Sequence, residues 1–265
     1  MSIFAKKSLG QHFLTSPKVV EDIARAASGA AGNTILEIGP GEGVLTEALL
    51  EGSARVITIE KDDRLIEHLK ERFAQEEKSG RFFLMHGDAL ELDFETLNLT
   101  PLSYTLAANI PYYITGLLIR TFFTRAHLPK KAVLLVQKEV AERIVARDGK
   151  ESILSVAVKT FGTPRILRTV ARGAFRPQPK VDSAVLVVEN ITDPFQSHTD
   201  EEHFFDILRK GFAHKRKKLA KNLGCSEDML TTCDISPDIR PEQVQAESWR
   251  CIAGIEPVQN LNGIE

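Results

Sequence analysis

The sequence predicts an α/β fold in which a mostly parallel, seven-stranded sheet is followed by a small helical domain. Two observations predict this class. Short apolar runs alternate with segments of helical spacing, and a glycine-rich turn joins the first apolar run to the helix after it. Such alternation is typical of parallel sheets with helices on both faces. The expected strands lie near residues 34–38, 55–59, 81–86, 104–110, 132–137, 166–170 and 184–190.

The first helix and the domain boundary are both signalled locally. The helix is expected to begin at Ser16 and Pro17, because serine suits the N-cap and proline suits the first turn. Residues 190–199 are polar and contain a proline, as linkers often do. We therefore expect a larger domain at residues 1–192 and a small helical domain at residues 193–265.

Composition limits the class of protein. At 265 residues and 43% apolar content, the chain can form one α/β domain and a small second one. It has no apolar run of membrane-spanning length, and its start lacks the apolar stretch of a signal peptide. Cys225, Cys233 and Cys251 are odd in number and lack C-x-x-C spacing, so we expect neither a disulfide framework nor a metal site. These features favour a protein of the reducing cytoplasm.

The glycine-rich turn predicts a binding loop for a nucleotide-like ligand. Gly39, Gly41 and Gly43 let the backbone approach a ligand without a Cβ clash. The dinucleotide pattern needs a glycine where this chain has Val44, and the acid Glu42 does not suit a pyrophosphate. A ligand without phosphates and with a cationic centre fits better, and S-adenosylmethionine is such a ligand. A plain tight turn is the alternative.

Two acids at successive strand ends extend this predicted site. Glu60 ends the second strand about 20 residues after the glycine loop, where an acid accepts hydrogen bonds from both hydroxyls of a ribose. Asp88 follows the third strand and is placed to accept a hydrogen bond from the amino group of an adenine. Alternatively, Glu60 caps the helix that starts near Asp62, and Asp88 is an ordinary turn residue.

Residues 109–112, with the sequence Asn-Ile-Pro-Tyr, suit methylation of a planar amine. The N6 of adenine donates its lone pair into the ring and is therefore a poor nucleophile. Two acceptors that take both N–H bonds would align this nitrogen with an electrophilic methyl group and favour its pyramidal form. The Asn109 side-chain oxygen and the carbonyl of Ile110 or Pro111 are the candidates, and Tyr112 can stack on the base. A strand-ending turn is the alternative.

One segment of this slightly acidic chain is strongly basic. The whole chain carries −2, whereas residues 203–221 contain seven Lys and Arg against one Asp, a net charge of +6. Phe204, Leu208 and Phe212 recur every four residues, which predicts one continuous helix with a packed face and a cationic face. A cationic face suits RNA phosphates, and a solvated helix face is the alternative. The predicted phosphate contacts are Lys210, Lys215, Arg216, Lys217, Lys218 and Lys221.

In this order the motifs resemble the class I S-adenosylmethionine-dependent adenine-N6 methyltransferases of ribosomal RNA. More narrowly, the chain resembles the KsgA (RsmA) family of small-subunit dimethyladenosine transferases, over about residues 3–225. Residues 7–14 resemble the amino-terminal segment of that family, which contacts the cofactor. Residues 175–183 resemble its F-x-P-x-P-x-V-x-S element, and residues 212–219 resemble the basic segment of its small terminal domain.

Carried over by position, the resemblance implies a Rossmann-like catalytic domain at residues 1–192, with one strand of the last pair reversed, and an RNA-binding domain at residues 193–265. The target amine would be held by Asn109, Pro111 and Tyr112, and Phe175 would close over the opposite face of the base. Many relatives have Asn where this chain has His12, so a backbone contact is expected at this position. The implied cofactor contacts are His12, Leu14, Gly39, Gly41, Glu60, Asp88 and Asn109.

The implied activity is dimethylation of N6 in two adjacent adenosines of a 3'-terminal hairpin loop of 16S ribosomal RNA within the small subunit, with a role in subunit biogenesis. The adenosine would enter between Tyr112 and Phe175, unpaired or flipped from its stack. We expect a monomer that uses S-adenosyl-L-methionine. Three alternatives stay open: an Erm-type methyltransferase of 23S RNA, a DNA adenine methyltransferase, and a non-catalytic assembly factor of the small subunit.

Overall fold

The computed structural model describes residues 10–29, 33–53, 55–92 and 94–255. The described strands are β1 (Phe13–Leu14), β2 (Thr34–Ile38), β3 (Arg55–Glu60), β4 (Phe82–His86), β5 (Tyr104–Asn109), β6 (Lys131–Gln137), β7 (Thr163–Val170), β8 (Phe175–Arg176) and β9 (Ser183–Glu189). The described helices are α1 (Pro17–Ala27), α2 (Val44–Gly52), α3 (Asp63–Arg72), α4 (Ala74–Lys78), α5 (Thr115–Phe122), α6 (Lys138–Val145), α7 (Ile153–Phe161), α8 (His198–Gly211), α9 (Leu219–Leu223), α10 (Glu227–Thr231) and α11 (Ser248–Ile252).

Seven of these strands form one sheet in the order β4, β3, β2, β5, β6, β9, β7. The first five are parallel to one another, whereas β9 runs antiparallel to β6 and to β7. The expected sheet, mostly parallel and with one strand reversed near its end, is therefore confirmed. Strand order reverses between β2 and β5, and this reversal opens a crevice at the carboxyl ends of the strands.

The central strands are apolar because helices cover both faces of the sheet. In β2, Ile35 packs into a cluster with α1, α2 and α3. The neighbouring Leu36 and Ile38 point to the other face, into a cluster with α5, α7 and α8. All three side chains are buried. Burial on both faces explains why these strands are continuous apolar runs in the sequence.

A second, two-stranded sheet joins distant parts of the chain. β1 pairs antiparallel with β8, and this pairing sets Leu14 opposite Phe175. The backbone N–H of Thr15 donates to the carbonyl of Ala174 at 2.8 Å. Residues 10–15 are thereby fixed beside the segment that begins β8.

The prediction of one continuous basic helix over residues 203–221 is wrong. α8 ends at Gly211, and a turn separates it from α9. Gly211 lies against the indole of Trp249, where a Cβ would come within 2.5 Å of the ring. The side chain of Asn222 donates to the carbonyls of Gly211, at 2.5 Å, and of His214, at 3.1 Å. Packing on Trp249 and capping by Asn222 therefore outweigh the local helical pattern.

One disulfide is present, although the cysteine pattern predicts no disulfide framework. Cys233 and Cys251 are joined by a disulfide, with their Cα atoms 5.8 Å apart. They are 18 residues apart in the chain and meet because α11 packs back against the turn after α10. Spacing along the sequence carries no sign of this approach. Cys225 is a free thiol.

The sheet and the helical domain share one hydrophobic core across the connection at residues 190–197. Phe195, in this connection, packs its ring 5.7 Å from the ring of Phe161 in α7 and 5.3 Å from that of Phe204 in α8. A polar contact lies beside this aromatic one. Arg125, in the loop after α5, donates from its side chain to Asp193 at 2.6 Å. The sheet and the helices after residue 197 are therefore packed against each other, and the domain boundary near residue 192 stays a prediction.

Candidate active site

A pocket lies in the crevice at the carboxyl ends of β2, β3, β4 and β5, and the predicted cofactor contacts converge there. It is lined by all seven of them, namely His12, Leu14, Gly39, Gly41, Glu60, Asp88 and Asn109. Pro111 and Tyr112 line the same pocket. These residues come together because the carboxyl ends of parallel strands meet at one edge of the sheet.

The glycine loop combines unusual backbone angles with one close contact. Gly39, Gly41 and Gly43 have φ angles of 68°, 60° and 83°, in the left-handed region that favours glycine. A Cβ on Gly43 would lie 2.7 Å from the ring of Phe73, so this glycine lets the loop pack on the end of α3. A Cβ on Gly39 would meet no atom of the described residues within 4 Å. The backbone at Gly39 therefore faces the open space of the pocket.

Glu60 braces the glycine loop from the neighbouring strand. One carboxylate oxygen accepts a hydrogen bond from the backbone of Gly41 at 3.2 Å, and the other accepts one from the backbone of Asp62 at 2.8 Å. Burial raises the pKa of Glu60, and these two backbone hydrogen bonds oppose that change. The N-cap of α3 is Asp62 and not Glu60, so the capping alternative does not hold. Glu60 is thus a pocket residue with an oriented carboxylate.

Asp88 is held by a lysine that the sequence analysis did not single out. The ammonium of Lys61 donates to one carboxylate oxygen of Asp88 at 2.5 Å, and the backbone of Leu90 donates to the other at 3.0 Å. Burial alone would raise the pKa of Asp88, but these hydrogen bonds outweigh it and lower the pKa. An ionised carboxylate accepts hydrogen bonds only, as an adenine amino group requires.

Glu37 is an acid inside the apolar strand β2. It is 1% exposed, and one of its oxygens accepts a hydrogen bond from the hydroxyl of Thr46 at 2.6 Å. Its other oxygen has no hydrogen-bond partner in the described part of the chain. Burial raises the pKa of Glu37 to about 8, against the lowering effect of Thr46 and with a smaller contribution from the negative charge of Glu60. A cationic ligand in the pocket would stabilise its ionised form.

The amide of Asn109 is oriented by the amino-terminal segment. Its nitrogen donates to the backbone carbonyl of His12 at 2.9 Å, which leaves its oxygen for a substrate. The carbonyl of Pro111 accepts a hydrogen bond from the backbone of Ile114 at 3.1 Å. Of the two carbonyls considered from the sequence, that of Ile110 is therefore the better second acceptor.

The ring of Tyr112 is held at two points. Its hydroxyl is 2.7 Å from the hydroxyl of Ser183, at the start of β9. The imidazole of His12 stacks on its ring, with 5.7 Å between ring centroids and 27° between the planes. Burial raises the pKa of Tyr112, and the hydrogen bond with Ser183 opposes that change. Tyr112 therefore presents a neutral aromatic ring to the pocket.

The structure does not bring Phe175 to the pocket. Its side chain is 3% exposed and packs in the core cluster that contains Leu14 and Val170. Strand pairing of β1 with β8 explains this position, because it turns Phe175 toward the core beside Leu14. A role over the target base stays a prediction, and it requires the ring to leave this cluster.

The predicted phosphate contacts surround a turn rather than one helix face. Lys210 lies on α8, residues 215–218 form the turn, and Lys221 lies on α9. All six side chains are exposed. Lys218 is paired with Asp238. These residues are therefore available to a partner from solvent, and their contact with RNA stays a prediction.

Sequence reasoning missed a polar anchor beneath the pocket. The side chain of Gln11 donates to a carboxylate oxygen of Asp62 at 2.9 Å. The guanidinium of Arg64 donates to the same carboxylate and holds the pKa of Asp62 well below its usual range. Asp62 is 1% exposed. The signal available in the sequence was an Asp directly before a helical segment, since Asp is a preferred N-cap residue.

Two absences hold for the described residues. They contain no group of three or more side chains arranged to hold a metal ion. None of their helices is both long and apolar enough to cross a membrane.

A seven-stranded, mostly parallel sheet with a glycine loop after its first strand, an acid at the end of the next and an Asn-Ile-Pro-Tyr turn defines a class I S-adenosylmethionine-dependent methyltransferase fold. A family model described as ribosomal RNA adenine dimethylase matches residues 4–253. The ribosomal RNA small subunit methyltransferase A of Dehalococcoides mccartyi (strain BAV1) is 38% identical over 254 residues, which are 93% of this chain and 86% of that protein. The protein of the same name from Clostridium botulinum (strain Langeland) is 38% identical over 252 residues, 92% of this chain and 90% of its own.

Solved structures agree with this match. A dimethyladenosine transferase from Plasmodium falciparum is 28% identical with a TM-score of 0.76, and the alignment covers 92% of this chain and 99% of that one. The 23S rRNA methyltransferase ErmE has the same fold, with a TM-score of 0.73 and 23% identity over 91% of this chain and 98% of its own. The chain belongs to the ribosomal RNA adenine dimethylase family.

Proposed function

We propose that this protein transfers methyl groups from S-adenosylmethionine to N6 of adenosines in small-subunit ribosomal RNA. We further propose that its targets are two adjacent adenosines of a 3'-terminal hairpin loop in 16S RNA, each converted to N6,N6-dimethyladenosine. The observation that carries this proposal is the oriented oxygen of Asn109, which opens on the same pocket as the glycine loop. Relatives named small subunit methyltransferase A support the choice of subunit.

The pocket fits the proposed cofactor. S-adenosylmethionine supplies an electrophilic methyl group when bound. One buried oxygen of Glu37 has no hydrogen-bond partner among the described residues, and it suits the cationic portion of this cofactor. Glu60 suits the ribose hydroxyls, and Asp88 suits the amino group of the adenine. The open space at Gly39 permits close approach of the backbone.

The protein acts on the target amine by positioning it. The side-chain oxygen of Asn109 and the carbonyl of Ile110 accept the two N–H bonds of the adenine N6 and favour its pyramidal form. Tyr112 stacks on the base and fixes its plane. This arrangement needs no strong base, because the N6 nitrogen is not basic. The target adenosine reaches these groups unpaired or flipped from its stack.

The basic turn between α8 and α9 supports binding of a folded RNA rather than a free nucleoside. Its exposed Lys and Arg residues offer charge for several phosphates at once. The helices on either side of this turn pack into the same hydrophobic core as the sheet, which supports binding of one RNA by the turn and the pocket together.

Transfer of labelled methyl groups tests the proposal directly. Undermethylated small subunits, large subunits and naked 16S RNA are each incubated with the protein and with S-adenosylmethionine labelled in its methyl group. We expect label in small-subunit RNA, recovered as N6,N6-dimethyladenosine, and labelling about 100-fold to 1000-fold slower with the Asn109→Ala variant. Label only in large-subunit RNA would instead establish an Erm-type enzyme. Tight binding to immature small subunits without any label would establish a non-catalytic assembly factor.

A further inference from the structure

His12 contacts both sides of the target-base region. Its backbone carbonyl accepts the hydrogen bond from the side chain of Asn109 at 2.9 Å. Its imidazole stacks on the ring of Tyr112, and its Nδ1 lies 2.7 Å from the backbone carbonyl of Pro177. From the sequence, this residue was expected only to contact the cofactor. The observed contacts of the imidazole are with Pro177 and with Tyr112, the residue predicted to stack on the target base.

The hydrogen bond to Pro177 fixes the orientation of the imidazole. A carbonyl oxygen can only accept, so Nδ1 of His12 carries the proton and donates it to Pro177. The ring plane is set by this bond and lies 27° from the plane of Tyr112. Stacked aromatic pairs of this kind stabilise each other beyond the effect of burial.

Tyr112 is thereby connected by two sets of contacts to residues 177–183. Its hydroxyl bonds to Ser183, and its ring packs on His12, which bonds to Pro177. Pro177 begins the loop after β8, and Ser183, the first residue of β9, directly follows that loop. The imidazole of His12 therefore closes a ring of contacts around Tyr112.

The backbone of residue 12 is anchored without its side chain. Gln11 is bonded to Asp62 at 2.9 Å, and Leu14 pairs with Phe175 across the two-stranded sheet. A change of the His12 side chain should therefore leave its carbonyl in place for Asn109. The role of the imidazole can be tested apart from that of the backbone.

We propose that the imidazole of His12 is a positioning residue for methyl transfer, which sets the plane of Tyr112 against the incoming adenine and couples that ring to the loop at residues 177–183. This proposal rests on the proposed function, because it concerns the ring on which the target base stacks. An asparagine at this position can reach a carbonyl, but it cannot stack.

Three substitutions separate the contacts of the imidazole. His12→Phe keeps the aromatic stacking and loses the hydrogen bond, His12→Asn keeps a donor and loses the stacking, and His12→Ala loses both. With saturating small-subunit substrate, we expect His12→Ala to lower kcat about threefold to tenfold. We expect His12→Phe to recover most of that loss and His12→Asn to stay near the alanine variant. The dissociation constant of S-adenosylmethionine should change less than about twofold in all three.

Several outcomes would overturn the proposal. An unchanged kcat in His12→Ala, or an equal fall in His12→Phe, would remove stacking as the cause. A loss of cofactor affinity as large as the loss of turnover would make His12 a cofactor contact. The exposed His203, on α8, provides the matched control, because His203→Ala should change neither quantity.

Hydrogen exchange separates this proposal from the proposed function. In the protein without RNA, His12→Ala should raise the amide exchange rates of residues 178–183 and leave those of residues 215–218 unchanged. Unchanged exchange at residues 178–183 would overturn the coupling. If the wild-type protein methylates none of the RNAs, the proposed function fails, and exchange still decides whether His12 holds this loop.

Discussion

The backbone carbonyl of His12 accepts a hydrogen bond from the side-chain nitrogen of Asn109 at 2.9 Å. The two ends of a carboxamide have nearly the same shape, so only a hydrogen-bond partner can decide which end faces the substrate. Here His12, 97 positions earlier in the chain, accepts from the nitrogen and so turns the oxygen of Asn109 toward the pocket.

Replacement of Asn109 by alanine should reduce turnover far more than cofactor binding. The substitution removes one acceptor of the target amine, and loss of one such group costs about 100-fold to 1000-fold in kcat. Cofactor affinity, measured by calorimetry, should fall much less. Asn109→Asp is a useful companion, because it keeps an oxygen but sets a carboxylate against the carbonyl of His12. Equal losses of turnover and affinity in Asn109→Ala would contradict the assigned role.

Glu60→Gln should weaken cofactor binding about tenfold to 100-fold. Both oxygens of Glu60 accept backbone hydrogen bonds, and a glutamine has only one acceptor. Because burial raises the pKa of Glu60, affinity in the wild-type protein should begin to fall on acidification at a higher pH than for an ordinary carboxyl. Calorimetry across pH checks both results. Glu67→Gln, at an exposed position on α3, is the control and should bind like wild type.

Glu37 should make the protein without cofactor less stable as pH rises. Its folded pKa, about 8, lies above the value of 4.5 expected for the unfolded chain, so the folded state holds the proton longer. The contribution of Glu37 to the free energy of unfolding is greatest below pH 4.5 and is lost as pH rises to about 8. The Glu37→Gln variant should not show this loss. Its free energy of unfolding at pH 9 should exceed that of the wild-type protein by about 1–3 kcal/mol.

Urea unfolding at pH 5 and pH 9 measures this difference. The exposed Glu51→Gln changes the same charge at the end of α2 and should follow wild type at both values. A gap between Glu37→Gln and wild type that stays constant with pH would exclude titration of this acid as the cause.

Loss of the disulfide should destabilise the helical domain. A crosslink between residues 18 positions apart lowers the conformational entropy of the unfolded chain. This raises the free energy of unfolding by about 2–4 kcal/mol. Cys251→Ser, or wild type under reducing conditions, should therefore unfold at lower urea concentration. Cys225→Ser should match wild type, since this thiol is free. An identical midpoint for Cys251→Ser and wild type in oxidising buffer would show that the bond adds no stability.

The basic turn should contribute affinity for RNA that depends on salt. Substitution of Lys215, Arg216 and Lys217 by alanine removes three exposed charges, and the slope of log affinity against log salt should fall by about 2. Filter binding of 16S RNA over a range of salt concentrations gives this slope. Lys78→Ala, at the end of α4 and close to the edge strand β4, should leave it unchanged. An unaltered slope in the triple variant would show that the RNA phosphates do not contact these three residues.

Much of the fold could be predicted because buried parallel strands leave a clear record in the sequence. β2, β3, β4 and β5 are short runs rich in apolar residues, and the residues that follow them make up most of the pocket. Glu60, Asp88 and Asn109 could be named for the same reason, since each directly ends or follows a strand. Their convergence follows from the topology of a parallel sheet.

The remaining features depend on contacts between distant residues. The pairing of Leu14 with Phe175 joins positions far apart in the chain, and it buries a ring that the motif alone would leave near the substrate. The end of α8 at Gly211 depends on Trp249 and Asn222, which lie outside the local pattern. The periodicity of a segment cannot predict contacts with residues that lie far away in the sequence.

The packing of Phe195 between Phe161 and Phe204 has a consequence for substrate selection. Close-packed side chains resist relative movement, so we expect the basic turn and the catalytic pocket to keep a nearly constant separation. An RNA must then present a phosphate cluster and an accessible adenosine at that same separation. RNA in which these two features lie at a different separation would not place its adenosine in the pocket and would not be methylated. Phe195→Ala should let this separation vary and thereby reduce the preference for one RNA shape.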